Sequence, residues 1–252
     1  MRKMVGLALL GMAATFGSRG AHANEIVYSN DFSSNAADFS GAGSTDTTPN
    51  GQTFLGPLYN GGTATLTLSG LDPHTTVSLS FEVYAIGSLD GNGPAGGGAD
   101  PFYVTFTGSS GPQTVLATDF ANYAGGNTQA YPDYPINTNY GTTVVGVNAD
   151  APDTGATATN TLGYSGFPST GVQDAIFGIS LGPISDSSSS ITFSFDGDTN
   201  EALDNEYYGI TDVTVTTNGP LGTPVPEPAS LALLGTAIAG YGALRRRRRK
   251  VA

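Results

Sequence analysis

The run from Val77 to Ile86 constrains the fold more than any other part of the chain. Val77, Leu79, Phe81, Val83 and Ala85 alternate with Ser78, Ser80, Glu82, Tyr84 and Ile86. A period of two places successive side chains on opposite faces of a strand, whereas a helix would scatter these residues around its surface. The same alternation occurs at Ala64, Leu66 and Leu68, at Phe102, Val104 and Phe106, at Ile191, Phe193 and Phe195, and along Ile210 to Thr216. Ile26 to Tyr28, Thr114 to Phe120 and Ala175 to Leu181 read as further strands. Between the two ends of the chain no amphipathic stretch of three helical turns occurs. The expected fold is all-β: about seven to ten short strands in an antiparallel two-sheet sandwich of jelly-roll type. Gly70 to His74 is expected to be a hairpin turn joining the strands at 64–68 and 77–86. Thr114 to Phe120 should return antiparallel to Phe102 to Thr107. Asn35 to Gln52 and most of Ala121 to Thr161 show no period and read as loops. Asp31 and Asp212 would meet if the first and last strands are neighbours.

The two ends follow different rules. Arg2 and Lys3 precede an apolar run from Val5 to Phe16, and Ala21-His22-Ala23 is an A-x-A cleavage site. That is the layout of a secretory signal peptide, cut after Ala23. At the other end, Gly/Pro-rich residues 218–225 form a linker. Pro226-Glu227-Pro228 follows, then an uncharged apolar run from Ala229 to Leu244, then Arg245, Arg246, Arg247, Arg248, Arg249 and Lys250. As a helix, 229–244 would extend about 24 Å, short for a bilayer core of about 30 Å. The basic cluster beyond it has no place in a protein core and suits the cytoplasmic side of a membrane. The expected organisation is a signal peptide (1–23), a β-sandwich domain (24–217), a linker (218–225) and a sorting tail (226–252) with a short transmembrane helix at 229–244.

Setting these ends aside changes the charge balance. All nine Lys and Arg residues lie in them, so Asn24 to Pro226 holds none against 20 Asp and Glu. Phosphates would meet no protein cation there, which excludes nucleic acid as a partner. Anionic membranes and anionic polysaccharides are poor partners unless a divalent ion bridges them. No carboxylate of the domain is expected to have a salt-bridge partner, so each must be solvated, hydrogen-bonded or bound to a cation. The chain has no cysteine. An exported domain without disulfides must rest on its core, with or without metal support.

Val225-Pro226-Glu227-Pro228-Ala229-Ser230, the short apolar span and the terminal arginines resemble the PEP-CTERM sorting signal. The resemblance implies export through the Sec translocon in a Gram-negative bacterium and transient anchoring in the inner membrane. It further implies cleavage near Pro-Glu-Pro by an exosortase, and delivery to the cell surface or extracellular matrix. A second resemblance rests on Phe54-Leu55-Gly56, Leu66 to Tyr84, Ser88 to Asn92 and Tyr208 to Val213. These look like exported proteins with concanavalin-like or carbohydrate-binding-module-like sandwiches. That pattern has an aromatic where Leu89 stands and Asp-Asn where Thr211-Asp212 stand.

Two acidic loops are candidate metal sites. Asp196, Asp198 and Asn200, followed by Asp204 and Glu206, put oxygen ligands at alternate positions of a turn, as calcium loops do. The loop is not an EF-hand, because Glu201 replaces the required Gly and Tyr207 stands where the bidentate Glu belongs. The alternative is an Asp-Gly turn whose carboxylates cap backbone N–H groups. Asp90, Asn92 and Asp100 form a second such loop, and a solvated Gly-rich loop is its alternative. Calcium is the one expected cofactor.

Tyr131, Tyr134 and Tyr208 are candidate sugar-stacking residues, since rings with polar tips suit amphipathic ligands. The alternative is that such tyrosines pack loops onto the sandwich. Catalytic machinery is sparse. His74 is the one imidazole after Ala23, and the chain has no Trp to line a sugar subsite. The expected function is therefore non-catalytic: binding or organising extracellular polysaccharide, as in a biofilm. The alternatives are a glycoside hydrolase or lyase using paired carboxylates, and a purely structural coat protein.

Overall fold

The computed structural model describes residues 24–91, 99–122, 128–132, 150–165, 173–199 and 201–218, all within one compact unit, Ala23–Pro220. Twelve strands run through them: β1 (Asn24–Asn30), β2 (Phe39–Gly41), β3 (Thr45–Thr47), β4 (Thr53–Leu58), β5 (Gly62–Ser69) and β6 (Thr76–Gly87), then β7 (Pro101–Gly108), β8 (Gly111–Asp119), β9 (Ala158–Thr159), β10 (Asp174–Ser185), β11 (Ser190–Gly197) and β12 (Glu206–Asn218). No helix occurs among the described residues. The expected signal peptide, the expected linker from 219 onward and the expected sorting tail with its transmembrane segment lie outside them.

The strands form two antiparallel sheets. One has seven strands in the order β3–β4–β12–β6–β10–β9, with β1 paired to the second half of β12; the other has five, β2–β5–β11–β7–β8. The alternation of β6 sets the arrangement. Val77, Leu79, Phe81, Val83 and Ala85 are buried between the sheets, while Ser78, Ser80 and Glu82 stay partly exposed on the outer face. With no Trp available, phenylalanines fill the centre. Phe81 meets Phe195 edge-on with ring centroids 5.2 Å apart, and Phe102 meets Tyr208 at 5.2 Å, each pair joining the two sheets. Such geometry adds roughly 0.5–1.5 kcal/mol per pair to the area buried.

The outer face of the five-stranded sheet is hydroxyl-rich. Thr65 meets Ser194 at 3.3 Å, Thr67 meets Thr192 at 3.1 Å and Ser69 meets Ser190 at 3.2 Å, cross-strand pairs that stabilise the ladder. Where β6 ends, the outer face of the larger sheet is covered instead. Phe54, Tyr84, Ile86, Ile176 and Tyr207 pack beneath Leu162 in a second apolar cluster. Asp174 pins this cover by accepting the N–H groups of Thr161 (2.8 Å) and Leu162 (3.0 Å). Further along the loop, Gln129 is fully buried and donates to the carbonyls of Tyr131 (2.7 Å) and Thr154 (2.8 Å).

Two expectations need correction. The strands at 64–68 and 77–86 are not a hairpin: β5 belongs to the five-stranded sheet and β6 to the other. Alternation reveals a buried face but not a partner, and the six residues between β5 and β6 are enough to cross the roughly 10 Å that separates packed sheets. The carboxylates are also not wholly without a salt-bridge-type partner. His74 Nε2 meets Asp186 Oδ2 at 3.3 Å, both side chains buried. By contrast β7 and β8 do form the expected hairpin, and β1 lies beside β12. Asp31 caps its own turn, accepting from Ser33 N–H at 3.0 Å and Ser33 Oγ at 2.7 Å.

Candidate functional site

Asp196, Asp198, Asp204 and Glu206 do not converge as one loop site. Asp196 sits within β11, paired with Thr63 and Tyr103, whereas Glu206 opens β12 in the opposite sheet. Asp198 is exposed and its N–H donates to the Pro101 carbonyl at 2.9 Å; Asp204 is exposed in the turn before β12. Asn200 lies outside the described residues. Successive side chains of a strand point to opposite faces of its sheet, so the strand positions of Asp196 and Glu206 are set by two different sheets rather than by one loop.

The structure instead joins the end of the first candidate loop to the second. Asp90 N–H donates to Asp100 Oδ2 at 2.8 Å, and Asp100 N–H donates to the Gly91 carbonyl at 3.2 Å. Tyr208 Oη donates to the Asp100 carbonyl at 2.6 Å, fixing the entry to β7. Glu206 is fully buried against this group. Asp100, Glu201 and Asp90 are the acids that bear on its carboxyl. Burial first, then Asp100, then Glu201 and Asp90 all push the Glu206 carboxyl far above the usual carboxylate range. Asp119 is also fully buried. Burial raises its carboxyl to about 7, Asp100 adds to the rise, and the Ala130 N–H at 2.7 Å opposes it. Among the described residues no three His, Asp or Glu side chains are gathered as a ready-made metal cage. Asn92 lies outside them.

The stacking candidates are placed differently from expectation. Tyr208 is fully buried and packs on Phe102 and Phe120, so neither ring face reaches solvent. It shares a face with Ile210, and that parity was the sequence signal for a core position. Tyr131 is half-buried, with its ring against Phe120 at 5.2 Å and Phe177 at 5.3 Å, and its hydroxyl donates to the Gly178 carbonyl. It packs the loop onto the sandwich. Tyr134 lies outside the described residues.

A cleft that sequence reasoning missed opens where the two sheets part. Beyond Ile176 no described strand pairs with the outer edge of β10, and β8 is the edge of the other sheet. Between them lies a hollow of about 650 Å³, within the usual range for ligand sites. Its polar lining is Ser110, Gln113, Thr114, Ser180 and Ser185; its apolar lining is Val115, Leu181, Pro183 and Ile184. No charged side chain lines it. A bulge between Leu181 and Ile184 shapes the wall. Gly182 there has φ +113, and a Cβ would meet Ser78 Oγ and the Val77 carbonyl at 2.9 Å. A shallower hollow of about 230 Å³ shares Ser180, Leu181 and Gly182, and continues over Ser78, Ser80, Thr214 and Thr216. In register, Ser29, Thr214, Ser80 and Ser180 form one hydroxyl row across four strands leading to the cleft. Neither the edge of β10 nor the adjacency of β8 is written in local periodicity, so the cleft had no sequence signal beyond its Ser and Thr content.

No curated protein matches the chain. Residues 224–249 match the family model described as the PEP-CTERM protein-sorting motif. Pro226, Glu227, Pro228, Arg245, Arg246 and Arg247 fall within that span, while Ala21 and Ala23 precede the described residues. The chain thus carries a PEP-CTERM protein-sorting motif, the address of an exported, membrane-transiting protein handled by an exosortase.

Proposed function

We propose that the exported domain binds extracellular polysaccharide without catalysis, taking neutral, hydroxyl-rich chains in the cleft between β8 and β10. One observation carries this reading. In a domain with 20 carboxylates and no Lys or Arg, the hollow of about 650 Å³ between β8 and β10 is lined wholly by hydroxyl, amide and apolar groups. Neutral polyols can exchange hydrogen bonds with Ser, Thr and Gln while laying C–H faces on Val115, Leu181 and Ile184. The site demands no charge of its ligand. The acids whose proton affinity is most altered, Glu206 and Asp119, are fully buried and outside that lining, which supports binding rather than hydrolysis. Export and sorting would place the cleft at the cell surface or in the matrix.

The test is a binding screen of the exported protein against neutral and anionic polysaccharides. Binding to neutral chains, weakened about tenfold in Gln113→Ala/Ser180→Ala through loss of roughly 1.4 kcal/mol of hydrogen bonding, is the expected result. Binding to no polysaccharide would leave a structural coat role. Release of reducing ends from a bound polysaccharide would make the protein an enzyme instead.

A further inference from the structure

Resting on the reading of the cleft given above, we infer that a bound polysaccharide does not end there. It crosses the rim of β10 at Gly182 and continues over the outer face of the larger sheet, across Ser78, Ser80, Thr214 and Thr216, as far as Ile26. The cleft and the shallower hollow of about 230 Å³ have Ser180, Leu181 and Gly182 in common, so β10 is the wall they share. Gly182 is the gap in that wall. It has no side chain, and a Cβ there would meet Ser78 Oγ at 2.9 Å, where Ser78 lines the shallower hollow.

Beyond the rim the register lays out a track. Ser180 stands opposite Ser80, Ser80 opposite Thr214, and Thr214 opposite Ser29. Residues directly opposite share a face, so these hydroxyls form a row about 14 Å long, three strand spacings of roughly 4.8 Å. In the next row Ser78 stands opposite Thr216, and Thr216 opposite Ile26. Ile26 is 64% exposed. A single exposed apolar residue needs no explanation of its own, but this one closes a row of hydroxyls. Sugar rings carry O–H groups at their edges and C–H groups on their faces, and the track offers a partner to each.

The two sheets use their hydroxyls differently. On the smaller sheet Thr65, Thr67 and Ser69 each pair with a hydroxyl of β11. Among the described residues no side-chain hydrogen bond within the protein occupies Ser78, Ser80, Ser180 or Thr216, which leaves these groups to solvent or ligand. Charge then selects the ligand. No charged side chain lines either hollow. Glu82 follows Ser80 by two residues on the same face of β6, so an anionic chain on the track would approach a carboxylate and no cation. The ligand is a neutral chain long enough to span both hollows.

The experiment titrates the exported protein by calorimetry with neutral glucose oligomers, β-1,4-, β-1,3- and α-1,4-linked, from dimer to hexamer. In a series that binds, the hexamer should bind at least about tenfold more tightly than the dimer. Ser80→Ala/Thr214→Val should weaken the hexamer about tenfold and leave the dimer, held in the cleft, unchanged. Should that variant unfold, Ile26→Ala, altered at an exposed position, takes its place and should weaken the hexamer alone. A hexamer bound no more tightly than the dimer overturns the inference, as does a folded variant that binds the hexamer like the wild type. In both cases a dimer still weakened by Gln113→Ala/Ser180→Ala leaves the cleft reading standing. Binding of no oligomer in any series overturns the cleft reading and the track with it.

Discussion

Asp186 offers the sharpest stability prediction. Its carboxylate lies where three turns converge: after β5, after β7 and after β10. Oδ1 accepts from Ser109 N–H (2.6 Å) and Ser109 Oγ (2.9 Å); Oδ2 accepts from Ser188 N–H (2.9 Å), Ser188 Oγ (2.7 Å) and His74 Nε2 (3.3 Å). Burial alone would raise its pKa, but the hydrogen bonds from Ser109 and Ser188 outweigh it and hold the carboxyl at about 2. The ordinary value is 3.8, and a difference of nearly two pH units corresponds to roughly 2 kcal/mol favouring the ionised folded state. Because the folded value is the lower one, this stabilisation is present above about pH 4 and is lost as pH falls toward 2. Asp186→Ala additionally strands two backbone N–H groups and the imidazole, so it should cost about 3–5 kcal/mol at pH 7. For a domain of this size that lowers the melting temperature by about 10 °C. Asp186→Asn, which keeps one acceptor oxygen but no charge, should cost about 2 kcal/mol at pH 7 and flatten the loss of stability between pH 4 and 2. Urea unfolding of wild type and both variants at pH 7, 4 and 2.5 measures all of this. If Asp186→Asn matches the wild type at pH 7 and loses stability just as steeply in acid, the reasoning fails.

Two further predictions use the same reasoning. A Cβ at Gly108 would lie 2.2 Å from Asp186 Oδ1, and that carboxylate is too well held to move; Gly108→Ala should lose about 2–3 kcal/mol in urea unfolding, with little added loss when combined with Asp186→Ala. Tyr208→Phe removes the hydroxyl that donates to the Asp100 carbonyl at 2.6 Å, and should cost about 1–3 kcal/mol in the same assay while leaving polysaccharide binding unchanged.

The elements most legible in the sequence were those with long, unbroken alternation. β6, β5, β7 and β11 each declare a buried face by their own residues, and β7 and β8 are close enough in sequence for their pairing to follow. β4 was missed because Gly56-Pro57 interrupts its alternation; β2, β3 and β9 are two or three residues long and carry no period at all. Pairing was harder to read than strand identity. β5 and β6 are neighbours in sequence yet lie in opposite sheets, because a six-residue connection permits either a hairpin or a crossing. The same limit governed the acids. Asp100 bears on Glu206 across more than a hundred residues of chain, and proximity in sequence had grouped each with the wrong companions. Tyr208 followed the same pattern: its neighbours Glu206 and Tyr207 drew attention to the surface, while its alternation with Ile210 assigned it to the core. His74 was read as a simple turn residue, because nothing near it in sequence announces Asp186.

The separation of address from cargo can be tested with a protease. All nine Lys and Arg residues lie at 2–19 or 245–250. If the signal peptide and the sorting tail are both removed during export, the protein recovered from the cell surface or medium contains no site for trypsin. Unfolded in urea and digested, it should survive at an unchanged intact mass, one corresponding to a chain that begins near Asn24 and ends near Pro226. A surface protein that trypsin shortens, or whose intact mass includes the arginine cluster, would contradict the account.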